Sequence, residues 1–207
     1  LSLNCFDTPM MSDEDRSRMK MYTTEREREH AKTSVSSPDE WMKTLEVKVL
    51  VENLDSTNIK RIVQLLNKTN QMNLSTRRMT ETELLDWTKG ERRRLWTFRV
   101  SDKFGDYGLT GIASMEQDGQ VGKVIDFILS CRVMGRKIEE VMLSVMTTHA
   151  RLLGLSRMNA KYLPTQKNKP CHDFWKRSGF STDKANEIFT WELDDEYPKP
   201  NFVEIED

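Results

Sequence analysis

The chain has 207 residues, enough for one mid-sized core or for one domain plus an arm. Its 32 basic and 33 acidic side chains leave a formal net charge of −1, which gives no global pull toward nucleic acid or an anionic membrane surface. No apolar run approaches the roughly 18–20 residues of a membrane-spanning helix, and the opening residues turn polar too soon for a secretory leader.

Residues 1–36 are charge-dense, with scattered methionines, and Ser12 followed by acidic residues suggests a helix start. The expectation is a solvated helical arm or a connector. Ser37-Pro38 before Asp39 and Glu40 starts a short helix to about Leu45. Val47, Val49 and Val51 alternate with other residues and read as a strand. Asp55 or Ser56 caps a helix running to about Lys68, with Ile59, Ile62, Val63 and Leu66 on one face. A polar stretch, residues 68–78, follows as a loop. Thr80 and Glu83 fit a capping box for a helix to about Thr88.

Three strand-like runs come next: Arg94–Val100, Leu109–Met115 and Gly122–Cys131, an antiparallel meander with turns rich in Asp and Gly. Asp102, Asp106 and Gly108 read mainly as residues of one such tight turn. A long amphipathic helix, Lys137–Leu153, ends at Gly154. Met158–Tyr162 is a strand, Pro170–Ser178 a helix and Glu187–Leu193 a last strand; the tail from Tyr197 reads as a loosely held end. Strand, long helix and strand make one right-handed crossover, so Val124–Cys131 and Met158–Tyr162 are expected to run parallel in an otherwise antiparallel sheet.

One turn carries chemistry. Arg132, Val133, Met134, Gly135, Arg136 and Lys137 join a strand directly to a helix. A helix start offers unpaired N–H groups and partial positive charge, which suits a pyrophosphate. Gly135 lets backbone approach a ligand, and the basic side chains add charge. An ordinary turn with solvated basic residues gives the same pattern. The three cysteines, Cys5, Cys131 and Cys171, lack metal-ligand spacing, so the expectation is reduced thiols, no metal and a cytoplasmic protein. His149 falls on the apolar face of the long helix and reads as a core histidine; His172 starts the last helix. Residue 1 is Leu rather than Met, which is expected of a fragment or processed product.

The order of elements resembles the GNAT acyltransferase fold: an α/β fold with a mixed, mostly antiparallel sheet and a splayed parallel strand pair. The Arg132–Lys137 turn is similar to the pyrophosphate motif of that fold, and Asn168, the following helix and Gly179-Phe180 resemble its later motif. The resemblance implies that a pantetheine arm pairs with backbone between the parallel strands, near Leu129 and Cys131, with Asn168 on the pantetheine side. It also implies that the polar loop, with Asn70, Gln71, Asn73, Thr76, Arg77 and Arg78, helps line the acceptor site; a solvated loop with local capping bonds is the alternative.

Four stretches, KTNQMNLSTRR (68–78), SDKFGDYGLTG (101–111), LSCRVMGRKIEE (129–140) and YLPTQKN (162–168), look like the C-terminal domain of FkbH-like proteins. That resemblance covers nearly the whole chain. It implies a GNAT-like domain over residues 37–207, an arm over 1–36 leading from an upstream HAD-type phosphatase domain, and an acyl carrier protein as partner. The cofactor would be carrier-bound phosphopantetheine or coenzyme A, and the reaction transfer of a small hydroxyacyl group. Two alternatives stand beside it: a non-catalytic carrier-docking domain and a plain acetyl-coenzyme A-dependent N-acetyltransferase. Two residues depart from the family pattern. Lys137 stands where the family has a small residue, and Trp175 follows Phe174 where many GNAT enzymes have a tyrosine acid. Beside the expected thioester, Cys131 reads either as an acyl acceptor with a thiolate favoured by a helix start or as a buried structural thiol. Asp126 reads either as a general base in an apolar strand or as a carboxylate facing solvent.

Overall fold

The computed structural model describes residues 37–206; the arm expected over residues 1–36, with its Ser12 helix start and Cys5, lies outside the described residues. A short helix α1 (Pro38–Thr44) begins at Ser37, whose hydroxyl accepts the Glu40 N–H, with proline in the first turn. Strand β1 (Val47–Glu52) leads to helix α2 (Ile59–Lys68), a two-residue strand β2 (Met72–Asn73) and helix α3 (Glu81–Thr88). The Thr80–Glu83 capping box of α3 is complete, each side chain bonding the other's backbone. Strands β3 (Arg93–Asp102), β4 (Gly105–Asp118) and β5 (Val121–Leu129) form the meander. Helix α4 (Ile138–Leu152), strand β6 (Arg157–Lys161), helix α5 (Lys169–Arg177) and strands β7 (Ser181–Thr182), β8 (Ile188–Glu192) and β9 (Val203–Glu206) complete the chain.

The sheet runs β7-β8-β6-β5-β4-β3-β1-β9, with β2 attached to β5. Helices cover both faces because side chains alternate along each strand. Phe127 and Leu129 join a large cluster with Val141, Met142 and Met146 of α4 and Phe174 and Trp175 of α5. Their neighbour Ile128 joins a smaller cluster with Ile62 and Leu66 of α2 and Leu84 of α3. His149 stands edge-on to Trp96 at the border of the large cluster, 5.1 Å between ring centroids.

Strands β5 and β6 are parallel, as expected from the crossover, but they pair only over Val121–Val124 and Arg157–Ala160. Beyond Val124, β5 continues alone on that side toward Leu129. The gap is closed by the chain itself. Met72 lies opposite Leu129 and Asn73 opposite Ile128. The Leu74 N–H donates to the Phe127 carbonyl at 3.1 Å, and the Leu163 N–H donates to the Leu74 carbonyl at 3.0 Å. Met72, Asn73 and Leu74 are fully buried. The loop expected over residues 68–78 is therefore partly sheet. A second correction concerns the tail. Residues 203–206 form β9, parallel to β1, with Lys48 bridging to Glu204. Val203 and Ile205 pack against the large cluster, and Tyr197 is buried with its hydroxyl on the Ser178 carbonyl.

Candidate functional site

Where β5 ends, the chain turns sharply. The Ser130 N–H donates to the Thr110 carbonyl, and the Val133 N–H donates back to Ser130. The turn forms one wall of a cleft of about 700 Å³. Helix α2 supplies Arg61, Gln64 and Lys68, the loop before β2 supplies Asn70 and Gln71, the turn supplies Ser130, Cys131 and Arg132, and the loop before α5 supplies Gln166 and Lys167. Among the described residues four cations and four primary amides line it, and no carboxylate does. Arg61 is aimed by neutral acceptors: its Nε donates to the Leu109 carbonyl at 3.1 Å and Nη1 to the Gln64 side chain. Burial and, after it, the charge of Arg132 hold the Arg61 guanidinium below its ordinary pKa. A cleft of this charge and amide content suits an anion with polar appendages.

The turn expected to cradle a diphosphate divides into parts. Arg132 is exposed on the cleft, Val133 is buried and Met134 packs against the core. The Arg136 guanidinium pairs with the buried Asp102 carboxylate at 3.0 Å and lies over the Tyr107 ring, 4.5 Å from its centroid. Asp102 also accepts the Phe104 and Gly105 N–H groups, so Arg136 pins the turn to the β3–β4 hairpin. Lys137 sits in the left-handed region at φ 65° and bridges to Glu140 at 2.7 Å. At the helix start the Gly135 N–H donates to Glu139 Oε1 at 3.2 Å. Glu139 is buried, and burial raises its carboxyl above the ordinary pKa. The expectation of a free helix end is thus corrected at Gly135: the chain supplies its own acceptor there.

The expected pantetheine edge is likewise occupied. The edge of Leu129 that faces the gap pairs with Met72. Asn168, expected on the pantetheine side, is fully buried and spends its side chain on the chain. Its Nδ2 donates to the carbonyls of Asn73 at 3.0 Å and Leu163 at 2.9 Å. Its Oδ1 accepts from the Tyr162 hydroxyl and the Thr165 N–H, both at 2.8 Å. Asn168 is the clamp that holds β2 in the gap.

Asp126 is not a base poised for a substrate. It is fully buried and accepts from Ser114 Oγ at 2.6 Å, from both Nε and Nη2 of Arg77, and from Ser75 Oγ. Arg77 stacks on Trp87, 4.7 Å from the ring centroid. A carboxylate surrounded by four donors is an anchor of the 75–78 loop, and the solvent-facing alternative is also excluded. Cys131 departs from the buried reading: it is exposed on the cleft wall, past the end of β5. Cys171 is the buried thiol, pushed up to about 12 by burial.

Of the polar loop, Asn70 and Gln71 reach the cleft. Asn73 is spent internally, its amide on Thr69 and its oxygen on the Thr76 N–H. Thr76, Arg78 and Asn70 line a smaller pocket that adjoins the cleft through Gln166 and Lys167. Arg78 holds the Leu66 carbonyl and Asn70 Oδ1. His172 bonds the Asn186 carbonyl and stacks on Tyr162, and Trp175 is fully buried. Sequence reasoning did not single out Arg61, Gln64, Lys68, Ser130, Gln166 or Lys167. Lys68, Ser130, Gln166 and Lys167 fall in the KTNQMNLSTRR, LSCRVMGRKIEE and YLPTQKN stretches; Arg61 had only its place on the polar flank of an amphipathic helix. Among the described residues no group of three or more His, Cys, Asp or Glu side chains is placed to hold a metal, and no helix is long and apolar enough to cross a membrane.

The architecture is that of the GNAT acetyltransferases. The PaiA N-acetyltransferase of Thermoplasma acidophilum, solved in complex with coenzyme A, superposes with a TM-score of 0.55 at 12% identity, covering 70% of this chain and 98% of that one. Spermidine N-acetyltransferase of Vibrio cholerae, solved with coenzyme A and spermine, gives 0.53 at 13% identity over 72% and 97%. A domain from Methanocaldococcus jannaschii gives 0.54 at 14% identity over 70% and 99%. By sequence, no family model and no curated protein matches the chain. The likeness is one of fold: mixed sheet, crossover and splayed strands.

Proposed function

We propose that the chain acts in acyl transfer and binds the phosphate end of a phosphopantetheine, on an acyl carrier protein or in coenzyme A, in the cleft beside Cys131. The observation that carries this reading is the lining itself: Arg61, Lys68, Arg132 and Lys167 with no carboxylate among the described residues, at the end of the strand that splays in this fold. The solved neighbours with coenzyme A bound lend support. The phosphate end of such a ligand fits the cations. The extended arm does not fit along β5, because Met72–Leu74 hold that edge. The arm is therefore assigned to the cleft itself, which Gln71 and Cys131 also line, and the amides of Gln64, Asn70, Gln71 and Gln166 suit a hydroxylated acyl group. On this reading the group is a small hydroxyacyl unit, as in FkbH-like proteins, supplied by an upstream HAD-type phosphatase. In the acyl step proposed for Cys131, its sulfur bonds the thioester carbon, the carbon–sulfur bond to the donor breaks, and the donor leaves as a thiol carrying the Cys131 proton.

The test is a titration of coenzyme A and of phosphopantetheinylated carrier protein. Saturable binding of either, lost with Arg132→Gln, supports the reading; no binding of either at millimolar levels ends it. Intact mass after incubation with acyl donor is expected to show an adduct that Cys131→Ala abolishes, and an unchanged adduct removes that role. The filled gap favours a second reading, in which the domain only holds the carrier; carrier binding without turnover by this chain selects it. Acetyl-coenzyme A consumption with an amine panel tests the plain N-acetyltransferase.

A further inference from the structure

A second recess of about 310 Å³ adjoins the cleft on its α2 side. Arg61 and Arg132 line both, while Arg99 of β3 lines only the second, with Asn58, Thr57 and Tyr107. Among the described residues no carboxylate lines the recess. The three guanidinium groups are unevenly compensated. Arg99 touches Glu52 through Nε alone, at 3.5 Å, with its side chain 40% exposed. Arg61 is met only by a carbonyl and an amide oxygen. Arg132 is exposed and has no ion-pair partner among the described residues. Gly108, in the left-handed region at φ 69°, supplies a wall without a side chain, and Arg99 Nη1 would lie 4.0 Å from a Cβ placed there.

Cations sharing one recess repel each other, and a dianion removes that penalty. Planar N–H forks match phosphate oxygens in pairs, which a single carboxylate does not exploit as fully. We infer that Arg61, Arg99 and Arg132 form a phosphate subsite for a phosphomonoester of a second substrate, opening beside the thiol-carrier cleft and sharing Arg61 and Arg132 with it. Arg99, which lines the recess and not the cleft, sets the two apart.

Inorganic phosphate is the probe, titrated calorimetrically into the full chain at low ionic strength with no thiol ligand present. Saturable millimolar binding is expected. Arg99→Gln and Arg132→Gln each weaken it about tenfold, the scale of one charge-assisted hydrogen bond. Arg99→Lys, which keeps charge and loses the fork, falls between. Lys123→Gln, at the far end of β5, stays within about twofold of the parent, as for an exposed charge remote from the site. Both arginine side chains are exposed enough for the variants to fold, which circular dichroism checks. Absence of saturable binding, indifference to Arg99→Gln, or an equal loss with Lys123→Gln each overturns the subsite.

Discussion

Three buried carboxylates do different work in this chain, and their surroundings say which. Asp126 answers a guanidinium and two hydroxyls, Asp102 answers a guanidinium, a phenol and two amides, and Glu139 answers a helix start. Removing the charge of Asp126 leaves Arg77 beside a neutral amide in a largely buried setting. Asp126→Asn is expected to destabilise the fold by about 3 kcal/mol, the lower end for a broken buried pair because Arg77 keeps some solvent contact. A urea midpoint unchanged from the parent contradicts the anchoring role. Glu139 differs in sign. Burial holds its carboxyl above the ordinary value of 4.5, so between that value and the raised one the folded chain binds more protons than the unfolded chain. Stability from this group therefore falls as pH rises through that window. Glu139→Gln keeps an oxygen for the Gly135 N–H and removes the ionisation. Its urea midpoint is expected above the parent's at pH 8, with the gap closing toward pH 4.5; a gap that widens on acidification sinks the assignment.

At the scale of elements, the decisive piece is the shortest. Strand β2 has two residues, yet it fills the space left by β5 and β6 and decides how far a ligand arm can travel. Its hold is the Asn168 side chain, with four hydrogen bonds that tie Asn73 to residues 162–165. Asn168→Ala leaves the Asn73 and Leu163 carbonyls and the Tyr162 hydroxyl short of partners, at about 1–3 kcal/mol for each group left unsatisfied. Hydrogen exchange should localise the damage: the Leu74 amide loses protection well before the α3 and β3 amides do, whereas uniform loss means the clamp is not local. The same contrast explains what the sequence made legible. Helix α4 has fifteen residues of periodic apolar positions, and Thr80 with Glu83 is a signature complete within four residues. Two-residue β2 has no period to detect, and its burial is created by strands far away in sequence. The burial of Val203 and Ile205 in β9 likewise depends on β1, whose free edge no local pattern announces.

For the molecule as a whole, net charge concealed the site. A balance of −1 argues against a general attraction to polyanions, but it says nothing about where the charges sit. Folding places acidic side chains at helix starts and beside Arg77, Arg93 and Arg136, while Arg61, Lys68, Arg132 and Lys167 meet in a cleft with none among the described residues. Only the tertiary structure brings α2, the turn after β5 and the loop before α5 together, so no motif could have named these four as a set. Binding there should be electrostatic in character. Raising ionic strength from about 0.1 to about 1 M shortens the screening length from about 10 to about 3 Å. Coenzyme A, a multiply charged probe, is expected to lose at least about tenfold in affinity over that range, and Lys68→Glu with Lys167→Glu to lose more at low salt than at high salt. Both lysines are exposed, so the double variant tests charge rather than folding. Affinity that is flat against salt, with the double variant indistinguishable from the parent, would assign the ligand to neutral contacts and make the four cations bystanders.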